Sequence, residues 1–229
     1  MPSRQEIELK FEVASAEEGE EILWAAAAAM GIRLDPPVTR VLLSRYIDGE
    51  AGSLAKAGAG FRARGNPDSA SAIWTMKLAE SQVGSRFSAT EYELAGSWCE
   101  IPPEFAAAIA GIGELVEIAR LSNRRATFDG KLGSSRVEAV VDSVSVEYPR
   151  VSTFAEIEFE STDGELLSGI AGAIAELGRK ITPSRGHKLS RAIGDPVPVD
   201  PGAVRILLDA LEQGFAGGSA GTIRSPWCR

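Results

Sequence analysis

The sequence predicts an α+β or closed-barrel domain, many antiparallel strands with a few helices set among them. Three observations lead there. Segments that alternate between polar and apolar residues recur along most of the chain. Helical caps followed by apolar runs occur only at scattered points. At 229 residues, without an internal repeat, the chain holds one substantial core or a core plus a small appendage.

Residues 6–13 alternate strictly. Glu6, Glu8, Lys10 and Glu12 face one way, and Ile7, Leu9, Phe11 and Val13 the other, the period of a β-strand. Ser15 with Glu18 makes a capping box, and an alanine-rich helix follows as far as Gly31. Residues 40–65 read as strand, turn, strand, the turn DGEAGSLAKAGAG being too rich in glycine for a stable helix. Residues 73–78 and 86–94 form another strand pair, joined through Ser81 and Gly84. Pro102 and Pro103 open a short helix that ends near Gly111. Strands are expected over 115–128, 136–146 and 154–160, then a helix capped by Asp163 and stopped by Gly178. Residues 184–193 fit either strand or loop. Beyond Asp195 the text DPVPVDPG is a linker, 203–215 a short amphipathic helix, and the glycine-rich end is expected to be mobile. The expected division is a main domain over 1–195 and, over 196–229, a linker, short helix and flexible tail.

Composition excludes several classes. Hydrophobic residues are 44% and charged residues 24% of the chain, with no long uncharged apolar run, which argues for a soluble globular protein away from membranes. The opening MPSRQEIELKF lacks the apolar stretch and cleavage site of a secretory signal. Cys99 and Cys228, far apart and without metal-ligand spacing, are expected as free thiols in a reducing, cytoplasmic setting. The net charge of −8 argues against nucleic acid as a partner, but a small polyanion can still sit in a local basic pocket. A homodimer is left open.

Full charges recur at spacing two within the strand pattern. Glu6, Glu8 and Lys10 lie on the first strand, Arg62 and Arg64 on FRAR, and Lys77 on WTMKL. Glu91 and Glu93 follow on EYEL, and Glu156, Glu158 and Glu160 on EIEFE. Spacing two places each set on one face. On a single strand this is usually a solvated face. If the sheet closes, however, carboxylates from the first and last strands converge on a common cation, since buried unpaired charge is costly. Hard divalent cations take such oxygen ligands, and Mg²⁺ keeps room for water and phosphate. Arg and Lys suit phosphate oxygens. Six candidate cations (Lys10, Arg62, Arg64, Lys77, Arg125, Lys188) and five acids (Glu6, Glu8, Asp142, Glu156, Glu158) leave a net of +1. A triphosphate carries roughly four to five negative charges, from about −1.5 to −2 on a terminal phosphoryl group. One or two divalent ions then bring the whole near neutrality.

The residues resemble a known family. EIELK is similar to the ExExK motif of the CYTH superfamily, the triphosphate tunnel metalloenzymes. The similarity continues in order through RYIDGEAGSLAKAGAGFRAR, WTMKL, SRFSATEYEL, RRATF, VEAVVD, AEIEFES and HKLSRA, over about residues 4–193. ExExK alone is a weak signal, but the ordered set is strong. The resemblance implies an eight-stranded antiparallel tunnel with flanking helices that binds a triphosphate with Mg²⁺ or Mn²⁺. It implies that Glu6, Glu8, Glu156 and Glu158 ligate metal, with Asp142 joining or orienting them, and that Lys10, Arg62, Arg64, Lys77, Arg125 and Lys188 grip phosphate. Tyr46 matches a tyrosine that some members place near the site as a proton acceptor, so Lys10, Tyr46 and Arg62 are the residues expected in the chemistry. Glu91 and Glu93 would support the basic side chains. Arg125 is preferred to Arg124 because Phe128 follows it at the family's offset. The chain departs from the pattern at Ile47, where an aromatic residue is frequent, and at His187, where Ser is frequent.

The activity expected is metal-dependent hydrolysis of a terminal phosphoryl group, with inorganic triphosphate the first choice because it needs no organic pocket. Alternatives are an adenylyl cyclase forming cyclic AMP from ATP, a thiamine triphosphatase that would need an aromatic wall, and a non-catalytic binder of polyphosphate or nucleotide. The glycines of AGAGF lack Walker spacing and read as a turn.

Overall fold

The structure, a computed structural model, describes residues 3–179, 181–184, 186–194, 198–217 and 223–228. In chain order the elements are β1 (Arg4–Val13), α1 (Ala16–Met30), β2 (Arg33–Leu34), β3 (Val38–Gly49), α2 (Ser53–Lys56), β4 (Ala59–Gly65), β5 (Ser71–Val83), β6 (Arg86–Ser97) and β7 (Glu100–Ile101). They continue with α3 (Pro103–Ile109), β8 (Leu115–Leu132), β9 (Ser135–Tyr148), β10 (Ser152–Glu160), α4 (Gly164–Glu176), β11 (Thr182–Pro183), α5 (Lys188–Ile193), α6 (Pro201–Phe215) and β12 (Ile223–Arg224). The long strands pair antiparallel in the order β1, β6, β5, β4, β3, β8, β9, β10, and β10 returns to pair with β1. The predicted eight-stranded barrel is closed.

The two largest apolar clusters lie outside this barrel. Alternation sends Leu9 and Phe11 of β1 outward, where they join Ile157 and Phe159 of β10 beneath Ile22 and Leu23 of α1 and Leu167 and Ile170 of α4. On the far side, Phe61, Trp74 and Met76 pack under Phe105 of α3 and Leu207 and Leu211 of α6. Each such side chain contributes about 1.5–3 kcal/mol when buried. Because the outside supplies this stabilisation, the interior is free to carry charge.

The helix signals behave as their chemistry requires. Ser15 Oγ accepts from the Glu18 N–H at 3.2 Å, and Gly31 ends α1 at φ 67°. Asp163 accepts from the N–H groups of Glu165 and Leu166 at the start of α4. A Cβ at Gly19 would stand 2.9 Å from Ile157 Cγ2, so glycine there lets α1 lie close against the wall.

Three expectations need correction. Cys99 and Cys228 are bonded to each other across 129 residues, not free, so the inference of a reducing compartment loses its support. Pairing of β12 with β7 brings them together, which sequence distance cannot report. Residues 184–193 are neither strand nor loop throughout, because Lys188–Ile193 form α5. This helix is too short to display a period, and it is held by Leu189 and Ala192 packing on Tyr46, Ala119, Leu121, Val144 and Val146. The glycine-rich turn contains one helical turn, α2, whose start is capped by Asp48 accepting from the N–H groups of Leu54 and Ala55 at 2.8 and 2.9 Å.

Of the tail expected to be mobile, residues 218–222 lie outside the described residues. Residues 223–228 are anchored: Trp227 stacks 6.0 Å from Trp74 and its Nε1 donates to the Trp98 carbonyl at 2.9 Å. Among the described residues no helix is long and apolar enough to cross a membrane.

Candidate active site in the barrel lumen

In an antiparallel ladder, directly opposed residues share a face. The register therefore builds the lumen in rungs. Lys10 opposes Glu158, Glu156 opposes Asp142, and Asp142 opposes Arg125. Tyr46 opposes Arg62, Arg62 opposes Thr75, and Lys77 opposes Glu91. Strand period alone delivers these side chains inward once the barrel closes.

They surround a cavity of about 530 Å³. Glu6, Glu8, Lys10, Tyr46, Arg62, Arg64, Lys77, Arg125, Glu158 and Lys188 all line it, as do Glu91, Glu93 and His187. Asp142 and Glu156 do not. Both have no exposed surface and lie beneath Lys188. Arg125 is turned inward, whereas its neighbour Arg124 is exposed.

The acidic sector lies on β1, β9 and β10. Lys10 Nζ stands 3.0 Å from Glu8 Oε1 and 3.0 Å from Glu158 Oε1. Burial disfavours its charge, but Glu158 and Glu8 outweigh burial and hold the Lys10 pKa well above the ordinary value. Arg125 binds Asp142 through two nitrogens at 2.9 and 2.6 Å and reaches Glu158 at 2.8 Å. Burial alone would raise the Asp142 pKa, but Lys188 and Arg125 hold it down. Lys77 pairs with Glu6 and lies 3.1 Å from Glu8 and 3.3 Å from Glu91. Glu6 is raised, first by burial and then by Glu8.

The basic sector lies on β3 and β4. Arg62 Nη1 donates to the Tyr46 hydroxyl at 3.1 Å, while its buried Nε has no hydrogen-bond partner. Arg64 is pushed down to about 10, by Arg62 first, then burial, then Arg125. Burial would raise the Tyr46 phenol, but Arg62 brings it below its ordinary value. Burial, with Lys10 and Lys77, pushes His187 down to about 3, so its ring is neutral, and its buried Nδ1 lacks a partner.

Three residues that shape the site went unread in the sequence. Asn123 Nδ2 donates to Asp142 Oδ1 at 2.9 Å. Arg191 Nη1 lies 3.3 Å from Glu156 Oε2. Asp48 holds α2, whose Ala55 lines the cavity. Arg191 follows Lys188 by three positions in HKLSRA, a spacing that carries meaning only once this stretch is known to be helical.

The sequence profile of the CYTH domain matches residues 4–193. The chain belongs to the CYTH family. Among solved structures, this CYTH barrel is similar to a candidate adenylyl cyclase, HpAC1, from Hippeastrum, described as having a dominant triphosphatase activity. The two share 21% identity at TM-score 0.59, over 82% of this chain and 94% of that one. It is also similar to a candidate adenylate cyclase from Bacillus halodurans, with 19% identity and TM-score 0.56, over 85% of this chain and 100% of that one. At these identities the likeness speaks for the CYTH fold. Among curated proteins none matches this chain significantly.

The donor chemistry fits a divalent cation of the CYTH type. Carboxylate oxygens of Asp142, Glu156 and Glu158 lie within 4.8 Å of one another, all three residues are buried, and all offer hard oxygen donors.

Proposed function

We propose that this CYTH protein hydrolyses the terminal phosphoryl group of a triphosphate, inorganic triphosphate first, with Mg²⁺ or Mn²⁺. The observation that carries the reading is a cavity lined by Arg62, whose buried Nε has no partner, and Arg64 on one wall and by Glu6, Glu8 and Glu158 on the other, with Asp142 and Glu156 buried behind Lys188. Arg62 and Arg64 bind phosphate oxygens, and Lys10, Lys77, Arg125 and Lys188 bring further positive charge to the chain. Glu6, Glu8, Glu156 and Glu158 hold the metal, with Asp142 orienting them, and Glu91 and Glu93 support the basic side chains. Such a cation would supply Lewis-acid charge to phosphate oxygens and a template for in-line transfer. Tyr46 acts as a proton acceptor, a reading supported by the hydrogen bond it receives from Arg62 and by its lowered pKa.

Among the described residues no tryptophan lines the cavity. Trp74 belongs to the outer core and Trp24 stands exposed, so neither supplies the aromatic wall that thiamine triphosphate needs. The test is to incubate pure protein with inorganic triphosphate, ATP and thiamine triphosphate, with Mg²⁺ or Mn²⁺, and identify the products. Orthophosphate and pyrophosphate from inorganic triphosphate support the proposal. Cyclic AMP from ATP would replace it with a cyclase, hydrolysis of thiamine triphosphate alone with a thiamine triphosphatase, and no product with a binder.

A further inference from the structure

The deep end of the acidic sector already holds a cation that belongs to the chain. Lys188 Nζ stands 2.9 Å from Asp142 Oδ2 and 2.7 Å from Glu158 Oε1, and it also contacts Glu156 Oε1. Its ammonium donates to Glu156 and Glu158 and is ion-paired with Asp142. Lys188 therefore borders the cavity with its charge committed to the trio. One turn later on α5, Arg191 takes the other oxygen of Glu156 at 3.3 Å, with its guanidinium carbon 3.8 Å from the centroid of the Phe154 ring. Each carboxylate of the trio thus has a cation of the chain against it, and a divalent charge among the same oxygens would sit against the ammonium and be repelled by it.

We infer that Lys188 is the resident counter-ion of Asp142, Glu156 and Glu158, and that it must pass from the trio to phosphate before those carboxylates can share a divalent cation. Arg191 is the positioning residue that keeps Glu156 in place during the exchange. The inference rests on the proposed reading of the cavity as a triphosphate site. Its consequence is ordered loading: the trio takes metal poorly while Lys188 is home, and phosphate, by drawing Lys188 away, promotes metal binding. By linkage, metal promotes phosphate binding to the same extent.

The test uses the full chain and Mn²⁺ alone, without phosphate, followed by the electron paramagnetic resonance of free Mn²⁺. Lys188→Gln is expected to bind Mn²⁺ more tightly than wild type by about 5- to 150-fold, the usual range of a coupling between sites. Adding Asp142→Asn to Lys188→Gln should abolish the gain. Adding Arg191→Gln should reduce it, and adding Arg191→Lys should retain it. Lys188→Gln binding no tighter than wild type, or a gain that survives Asp142→Asn, overturns the inference. If Lys188→Gln folds poorly, Mn²⁺ should raise its melting temperature more than it raises that of wild type, and an equal or smaller rise overturns the inference as well. Because no triphosphate is present, this outcome is independent of the hydrolysis assay, so the two readings can fail separately.

Discussion

The two walls of the lumen are built on opposite electrical principles. On β1, β9 and β10 every buried carboxylate of the deep trio has a cation of the chain against it, through Lys10, Arg125, Lys188 and Arg191. On β3 and β4 cations crowd one another: Arg62 depresses Arg64, and Arg62 Nε stays buried without a partner. On the acidic wall the deep trio is paired with cations of the chain, whereas on the basic wall Arg64 is disfavoured by its neighbour and an anion would relieve it. Burial of a charge without a counter-charge costs stability, and that cost is tolerated where a ligand later repays it.

This contrast sets how each wall should respond to substitution. Arg62→Ala should lower kcat/KM for inorganic triphosphate by about 10³- to 10⁵-fold, the range for a positioned cation in phosphoryl transfer. Near-normal activity would strip Arg62 of its role. Asp142→Asn should act on stability, costing about 3–5 kcal/mol in urea unfolding, because Lys188 and Arg125 lose a fully buried partner. A cost below 1 kcal/mol would mean the acidic wall is not built as described. Glu6→Gln should shift the Mg²⁺ or Mn²⁺ dependence of hydrolysis to higher concentration by roughly 10- to 100-fold. An unchanged titration curve would remove Glu6 from the metal set.

The smallest effect concerns pH. Burial and then Glu6 raise Glu160 to about 7, despite its contact with Arg4. A carboxyl raised in the folded state binds more protons there than in the unfolded chain. Its contribution is therefore full below the ordinary carboxylate value and lost as pH rises towards about 7. In EDTA, the melting temperature of wild type should fall between pH 5 and pH 7.5 more than that of Glu160→Gln. Equal slopes would show that Glu160 titrates normally.

Much of both walls was legible beforehand because a strand's two-residue period is local. Glu6, Glu8 and Lys10 share a face whatever the strand pairs with, and the same holds for Arg62 with Arg64 and for Glu156 with Glu158. The capping signals at Ser15 and Asp163 were local too, and both caps form as the residue types require. Less visible was Arg191, since its grip on Glu156 depends on α5, and α5 depends on apolar contacts with residues more than forty positions earlier in the chain.

Periodicity, capping and the ordered motifs determined the alternating strands, the principal helices and the roster of charges. Only the closed structure decided which face is the inside, because that depends on β10 meeting β1, a pairing of residues such as Glu8 and Glu160 that are remote in the chain. It also decided the Cys99–Cys228 bond and the placing of Lys188 among three carboxylates. Chain order encodes short-range geometry directly, while the energy of a buried charge depends on neighbours that folding alone assembles.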